Sequence, residues 1–315
     1  MGAFTNKIDY HYQTMRINVD TLTALQIGIT LFDADGKTVM QKYPAGVTVP
    51  SVKGKGQYCT WQFNFKFNEE EDMCPERQIA HWERHGVDLE KHAREGVDQF
   101  KFGVRLVDSG LIYNPEVTWV SFHGGYDFGF LYKFLQMQLM PEEADDWHHR
   151  LKLHFPTFYD LKYLIKTGTK HLQSQPPSSQ DPIMVEILKH FESHHVHESM
   201  PDFFRIDRVG RPHHAGPDSY INGKAFWEVK TRVYGGQLPA DAKCKIWGLC
   251  TLESTDTTDT SSLTFGHSQP AGGRGDPSTP LTNSIALPNH TPSHTNAPPF
   301  TPQGTAGMSY GNRLT

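Results

Sequence analysis

Three side chains in this sequence have types and spacings suited to chemistry. Asp127, in FHGGYDFGFLYKF, closes a run that reads as a buried strand and opens one that reads as a helix. His213 and Asp218 share the stretch RVGRPHHAGPDS, where Ala215 and Gly216 leave the backbone free to turn between them. Carboxylates converging from separate elements are what an in-line cut of a phosphodiester requires, because two cations about 3.5–4 Å apart clamp the attacking and leaving oxygens. Hard ions such as Mg²⁺ take oxygen ligands. A histidine, ordinarily half-protonated near neutral pH, can accept the proton of an attacking water. The same residues have a plainer reading, since an aspartate at a helix start also caps free backbone N–H groups.

The elements that would hold these groups are legible from periodicity. Residues 22–32, LTALQIGITLF, form a β-branched apolar run that predicts a strand, and DADGK after it predicts a turn. WQFNFKF at 61–67 alternates apolar and polar residues, the period of a half-buried strand. The two make an antiparallel hairpin separated by a basic, Pro/Gly-rich loop at 42–58. Residues 69–110 have helical composition, with Ile79, Trp82, Val87, Phe100 and Phe102 as core candidates. Residues 117–122 read as a buried strand, and the helix from Asp127 presents Phe128, Leu131, Phe134 and Leu135 on one face. FPTFYDLKYLIK at 155–166 is a further buried element. Between 167 and 206 the chain turns polar, apart from a helix capped by Asp181 with Pro182 at its first position and Ile183, Ile187, Leu188 and Phe191 at helical spacing. Residues 225–233 predict a last long helix.

Bulk properties narrow the classes. The chain has 315 residues with 37% hydrophobic and 21% charged, enough for one sizeable core and a tail. Its net charge of −5 gives no broad electrostatic grip on a polyanion, so any nucleic acid must be held at a local site. No apolar run reaches the length of a membrane span. Cys59, Cys74, Cys244 and Cys250 form no CxxC pair and read as reduced thiols. From 253 to 315 the sequence is Ser/Thr/Pro/Gly-rich with few large apolar groups, which predicts disorder.

The motifs carry a resemblance. FHGGYDFGFLYKF is similar to the second motif, and RVGRPHHAGPDS to the third motif, of the Caf/Pop deadenylases, the catalytic subunits of the Ccr–Not complex within the DEDD exonucleases. DYHYQTMRINVD, WQFNFKF, HFPTFYD and AFWEVK with its later DAK follow in family order. The likeness spans 7–249, with insertions at 42–58 and 167–206, and it implies a nuclease domain over 1–252 followed by the tail. The implied fold is α/β: a ribonuclease-H-like mixed central sheet flanked by helices, here without the family's first helix and first central strand. The implied activity is 3′-to-5′ removal of AMP from the poly(A) tail of messenger RNA, in cytoplasm and nucleus. Position by position, the resemblance places metal-holding acids on Asp127 and Asp218 and the general base on His213, with His214 in the family's Gln place. It implies two Mg²⁺ or Mn²⁺ ions per complete site, poly(A) RNA as substrate, a Ccr-type nuclease and a Not scaffold as partners, and no membrane.

The family's first motif, Asp-Thr-Glu-Phe-Pro-Gly, has no counterpart here, and Asp88-Leu89-Glu90 reads as a solvated helix face instead. The opening MGAF resembles family text entered in mid-stream, so the expectation is a truncated gene model or an internal-start product of an active enzyme. With two acids fewer, turnover by the chain as written is expected to be very low. A non-catalytic bridging subunit is the alternative. Pro217, in the family's Ser place beside Asp218, is expected to disturb that carboxylate's setting. His190, His194 and His197 at helical spacing raise a zinc reading, against which a solvated helix end is the expectation. Phe122, Tyr126 and Phe128 are candidates for stacking bases or for packing the core.

Overall fold

The computed structural model describes residues 6–40, 59–74, 76–191, 196–208, 210–211 and 213–250, with backbone alone at 76–77 and 196–198. The loop expected at 42–58 and the tail expected from 253 lie outside these residues.

Helix α1 (Lys7–Thr21) starts where Asn6 accepts the N–H of Asp9 at 2.9 Å, and it buries Tyr12, Met15 and Val19 along one face. Strands β1 (Gln26–Thr30) and β2 (Thr60–Asn64) pair antiparallel, from Gln26 opposite Asn64 to Thr30 opposite Thr60, as the hairpin reading requires. Helices α2 (Glu76–Arg84), α3 (Leu89–Glu95) and α4 (Gln99–Asp108) follow. Asp88 is the N-cap of α3, accepting the N–H of Lys91, and Leu89 is buried, so this stretch has a structural use. Strand β3 (Trp119–Ser121) runs into α5 (Gly125–Gln136), then α6 (Ala144–His154), β4 (Phe158–Asp160) and α7 (Leu161–Gln173). Helices α8 (Pro182–His190), α9 (Val196–Phe203) and α10 (Ala215–Arg232) complete the order.

β3 and β4 pair in parallel, and among the described residues they form a sheet separate from β1–β2. The expected mixed sheet therefore occurs as an antiparallel half and a parallel half, spanned by α10, which packs on β1, β2 and β3. The free edges of β1 and β3 have no described strand against them.

The largest core lies among α1, α4, α5, α6 and β4, where Phe102 meets Phe65 and Phe134 edge to face and Phe128 packs on Phe155 and Phe158. Phe128 is thus a core residue, while the Tyr126 hydroxyl meets the Asn18 amide at 3.0 Å and Phe122 packs on the second core. That second core corrects the reading of 167–206 as a polar insertion. Leu172, Met184, Ile187, Leu188, Phe191, Met200 and Phe204 close it together with Ile221 and Val229 of α10. Asp181 caps α8 as expected, but Ile183 is 51% exposed and Phe100 of α4 is 56% exposed, so neither belongs to the core. His190 is no solvated helix end: its ring stacks 3.9 Å from that of Phe203 and meets the Ser199 hydroxyl at 3.2 Å. The other two histidines of the zinc reading have no described side chains. Cys59 and Cys244 are buried free thiols.

Candidate active site

Asp127 sits in the first turn of α5, where the partial positive charge of the helix N-terminus favours a carboxylate. The chain reaches it from β3 through His123, whose φ of 57° lies in the left-handed region, and Gly124. Both N–H groups of that turn donate to the buried carboxylate of Asp160, at 2.9 and 3.2 Å. Asp127 reaches solvent, but protein surrounds it closely enough that desolvation, joined by the nearby charge of Asp160, pushes its pKa up to about 6.

Asp218 occupies the first turn of α10, and the β1–β2 hairpin holds that turn. The N–H of Ala215 points to Oε1 of Gln26 at 3.4 Å and that of Gly216 to Oε1 of Gln62 at 3.3 Å, so hairpin amides stand in for a capping side chain. Ser219 joins the hairpin through Thr30, hydroxyl to hydroxyl at 2.7 Å. Pro217, expected to disturb the site, stands at the third helical position, where its missing N–H is one of those a helix start leaves unpaired in any case. Desolvation pushes the Asp218 pKa up to about 6, against the opposing pull of His214 and Arg208.

The two histidines diverge. His213 is exposed, with a φ of 61°, and its ring packs 4.4 Å from that of His85 and 6.0 Å from that of His81. His214 turns inward, with Nε2 3.0 Å from the carbonyl of His85 and Nδ1 3.4 Å from the Gln62 amide nitrogen. It lines a pocket of about 220 Å³ with Gln26, Gln62, Asn64 and His92. The charge of His214 is felt at Asp218, while His213 packs on His81 of α2 and on His85 just beyond its end. His81 and His85 escaped the sequence reading, although their spacing of one helical turn was visible. Asp160 escaped it too, although an Asp before an apolar helical run is a capping signature.

Asp127 and Asp218 offer hard oxygen donors, and no salt bridge among the described residues neutralises either one. Desolvation is the main cause of both raised pKa values, and a divalent cation beside these hard oxygens would favour their charged forms. No group of three or more His, Cys, Asp or Glu side chains able to hold a metal occurs among the described residues, so the donors present do not make a site for two ions.

The sequence matches the model of the CAF1 family ribonucleases over residues 101–226, a span that contains Asp127, His213 and Asp218. It is 30% identical over 310 residues to the poly(A) ribonuclease pop2 of Schizosaccharomyces pombe, covering 95% of this chain and 80% of that protein. The chain belongs to the CAF1 ribonuclease family. Its structure resembles that of S. pombe Pop2p in a Mg²⁺- and Mn²⁺-bound form, with a TM-score of 0.61 and 32% identity over 79% of this chain and 84% of that one. It also resembles a structure of the yeast NOT1 MIF4G domain co-crystallised with CAF1, with a TM-score of 0.55 and 28% identity over 78% of this chain and 83% of that one. The ribonuclease-H-like α/β class expected from the sequence is therefore the fold of this CAF1 ribonuclease.

Proposed function

We propose that this CAF1-family chain is a 3′-to-5′ exoribonuclease unit acting on poly(A), with Asp127 and Asp218 as cation-holding acids and His213 as general base. The reading is carried by the placement of the two carboxylates, each in the first turn of a helix within the family-matched span. Mg²⁺ or Mn²⁺, when bound, supplies positive charge to the scissile phosphate. Asp127 and Asp218 hold their charge toward it from the first turns of α5 and α10. His213 takes the proton of the attacking water and, lying on an exposed loop, leaves His81 and His85 to do so. One cation on two carboxylates, completed by water and RNA phosphate, accords with how Mg²⁺ is commonly held. Two cations require further acids, so a two-metal cycle belongs to a site with additional carboxylates. The proposed working setting is a Ccr–Not-type assembly, given the relative crystallised with a NOT1 domain, and cytoplasm and nucleus are part of the proposal on the resemblance alone.

A second reading, a bridging subunit that does not cut, is favoured by the absence, among the described residues, of any group of three or more side chains able to hold a metal. A gel assay with Mg²⁺ and 5′-labelled oligo(A) separates the two. Stepwise shortening that disappears in Asp127→Ala and Asp218→Ala establishes the nuclease. Intact oligo(A), together with capture of a Not scaffold fragment, establishes the bridge and sinks the nuclease reading for this chain.

A further inference from the structure

Asp160 is a carboxylate that is 1% exposed, with no cationic side chain bonded to it among the described residues. Burial pushes its pKa up, and backbone N–H groups oppose that rise. The donors come from three separate segments. Its Oδ1 accepts from His123 at 2.9 Å, from Lys162 at 2.9 Å and from Tyr163 at 3.4 Å. Its Oδ2 accepts from Gly124 at 3.2 Å and from Trp247 at 3.1 Å. Capping α7 requires only the Lys162 and Tyr163 bonds. The bonds to His123 and Gly124 exceed that need, and both fall on the turn that delivers Asp127. With both oxygens taken by N–H donors, Asp160 has little left to offer a cation, although its charge is felt at Asp127.

We infer that Asp160 is a positioning residue of the nuclease site: it clamps the His123–Gly124 turn and so fixes where Asp127 presents its carboxylate. The inference rests on the reading of Asp127 as a cation ligand. His123 holds a backbone conformation that costs a non-glycine residue energy, and an anion accepting its N–H is a force that keeps it there. The bond to Trp247 draws the segment after α10 into the same clamp, so the far end of the described chain also bears on Asp127.

The test is Mn²⁺ binding, followed by loss of the free-ion electron spin resonance signal, alongside thermal melting. Asp160→Asn keeps the shape but turns an NH₂ group toward the N–H groups of Gly124 or Trp247. Wild type is expected to bind Mn²⁺, and Asp127→Asn to lose it. Asp160→Asn is expected to bind about tenfold more weakly or worse, the usual effect of removing a group that orients a ligand. Leu188→Ala, which lowers melting from within the α7–α10 core, is expected to keep wild-type affinity. A folded Asp160→Asn that binds like wild type, while Asp127→Asn does not bind, overturns this inference alone. Absent binding by wild type, or unchanged binding in Asp127→Asn, removes the cation-ligand reading and the inference with it. Should Asp160→Asn not fold, Gly124→Ala moves the same turn, because a Cβ there collides with the Ser121 side chain. Its binding should weaken and be restored by adding Ser121→Gly, and unchanged binding in Gly124→Ala overturns the inference.

Discussion

Gly28 in the middle of β1 lies directly beneath Ala215, so close that any Cβ at position 28 would collide with the Ala215 carbonyl. The first turn of α10, which carries Asp218, therefore rests on bare hairpin backbone. Replacing a strand glycine by alanine ordinarily gains about 0.5–1 kcal/mol. Here the collision outweighs that gain, and Gly28→Ala is expected to cost about 1–3 kcal/mol, the range for overpacking. Urea unfolding gives the sign. An unchanged or raised midpoint, with unchanged Mn²⁺ affinity, would show that α10 does not depend on this contact.

The pH dependence follows from Asp218, whose pKa rises to about 6 on folding from an ordinary 3.8. Because the folded state holds the proton more tightly, this group costs stability above pH 6, progressively less between pH 6 and 4, and nothing below. Desolvated histidines act oppositely: half-buried His148, held down to about 4, costs stability as pH falls below about 6.5. The wild-type profile thus mixes both signs, and the comparison with Asp218→Asn isolates one. The variant should be the more stable protein at pH 7.5, and its advantage should shrink as the pH falls toward 4. A constant advantage in urea midpoint across that range would contradict the desolvation of Asp218.

The 167–206 stretch shows where sequence reading stopped. Its low apolar density hid the fact that the few large side chains sit on facing helices, and a periodicity argument applied to one helix cannot see the neighbours that bury it. The capping of α8 by Asp181 was legible because it is local. The burial of Met200 and Phe204 depends on α10, far along the chain, and was not. Ile187→Ala should therefore cost about 2–4 kcal/mol, against about 0.5 kcal/mol or less for exposed Ile183→Ala, both read from urea unfolding. Equal, small effects would restore the view of a loosely held insertion.

The same division holds at the site. That Asp127 and Asp218 open helices was legible, because the strand-to-helix and loop-to-helix boundaries are written in local pattern and motif. The sheet is different. Alternation identified the hairpin, but ladder partners are chosen in three dimensions, and nothing in the spacing told that β1–β2 and β3–β4 would be joined through α10. The amides of Gln26 and Gln62, which hold the start of α10, look in sequence like ordinary polar strand residues.

The adjacent histidines of the third motif should separate by experiment. His213 is exposed and has a positive φ, so the informative replacement is asparagine, which tolerates that backbone. Nothing buried is removed by this change, so His213→Asn should leave the urea midpoint within about 0.5 kcal/mol of wild type. As general base it should nonetheless slow single-turnover shortening of oligo(A) by about 10²–10⁴-fold, with RNA binding unchanged. His214 bonds the His85 carbonyl and lines the pocket between hairpin and α3, so His214→Ala should cost about 1 kcal/mol. Its effect on rate should follow only from a looser α10 start and be smaller than that of His213→Asn. If instead His214→Ala abolishes shortening while His213→Asn cuts normally, the base is the inward imidazole beside Asp218, and the packing of His213 against His81 and His85 is its resting place and not a step away from work.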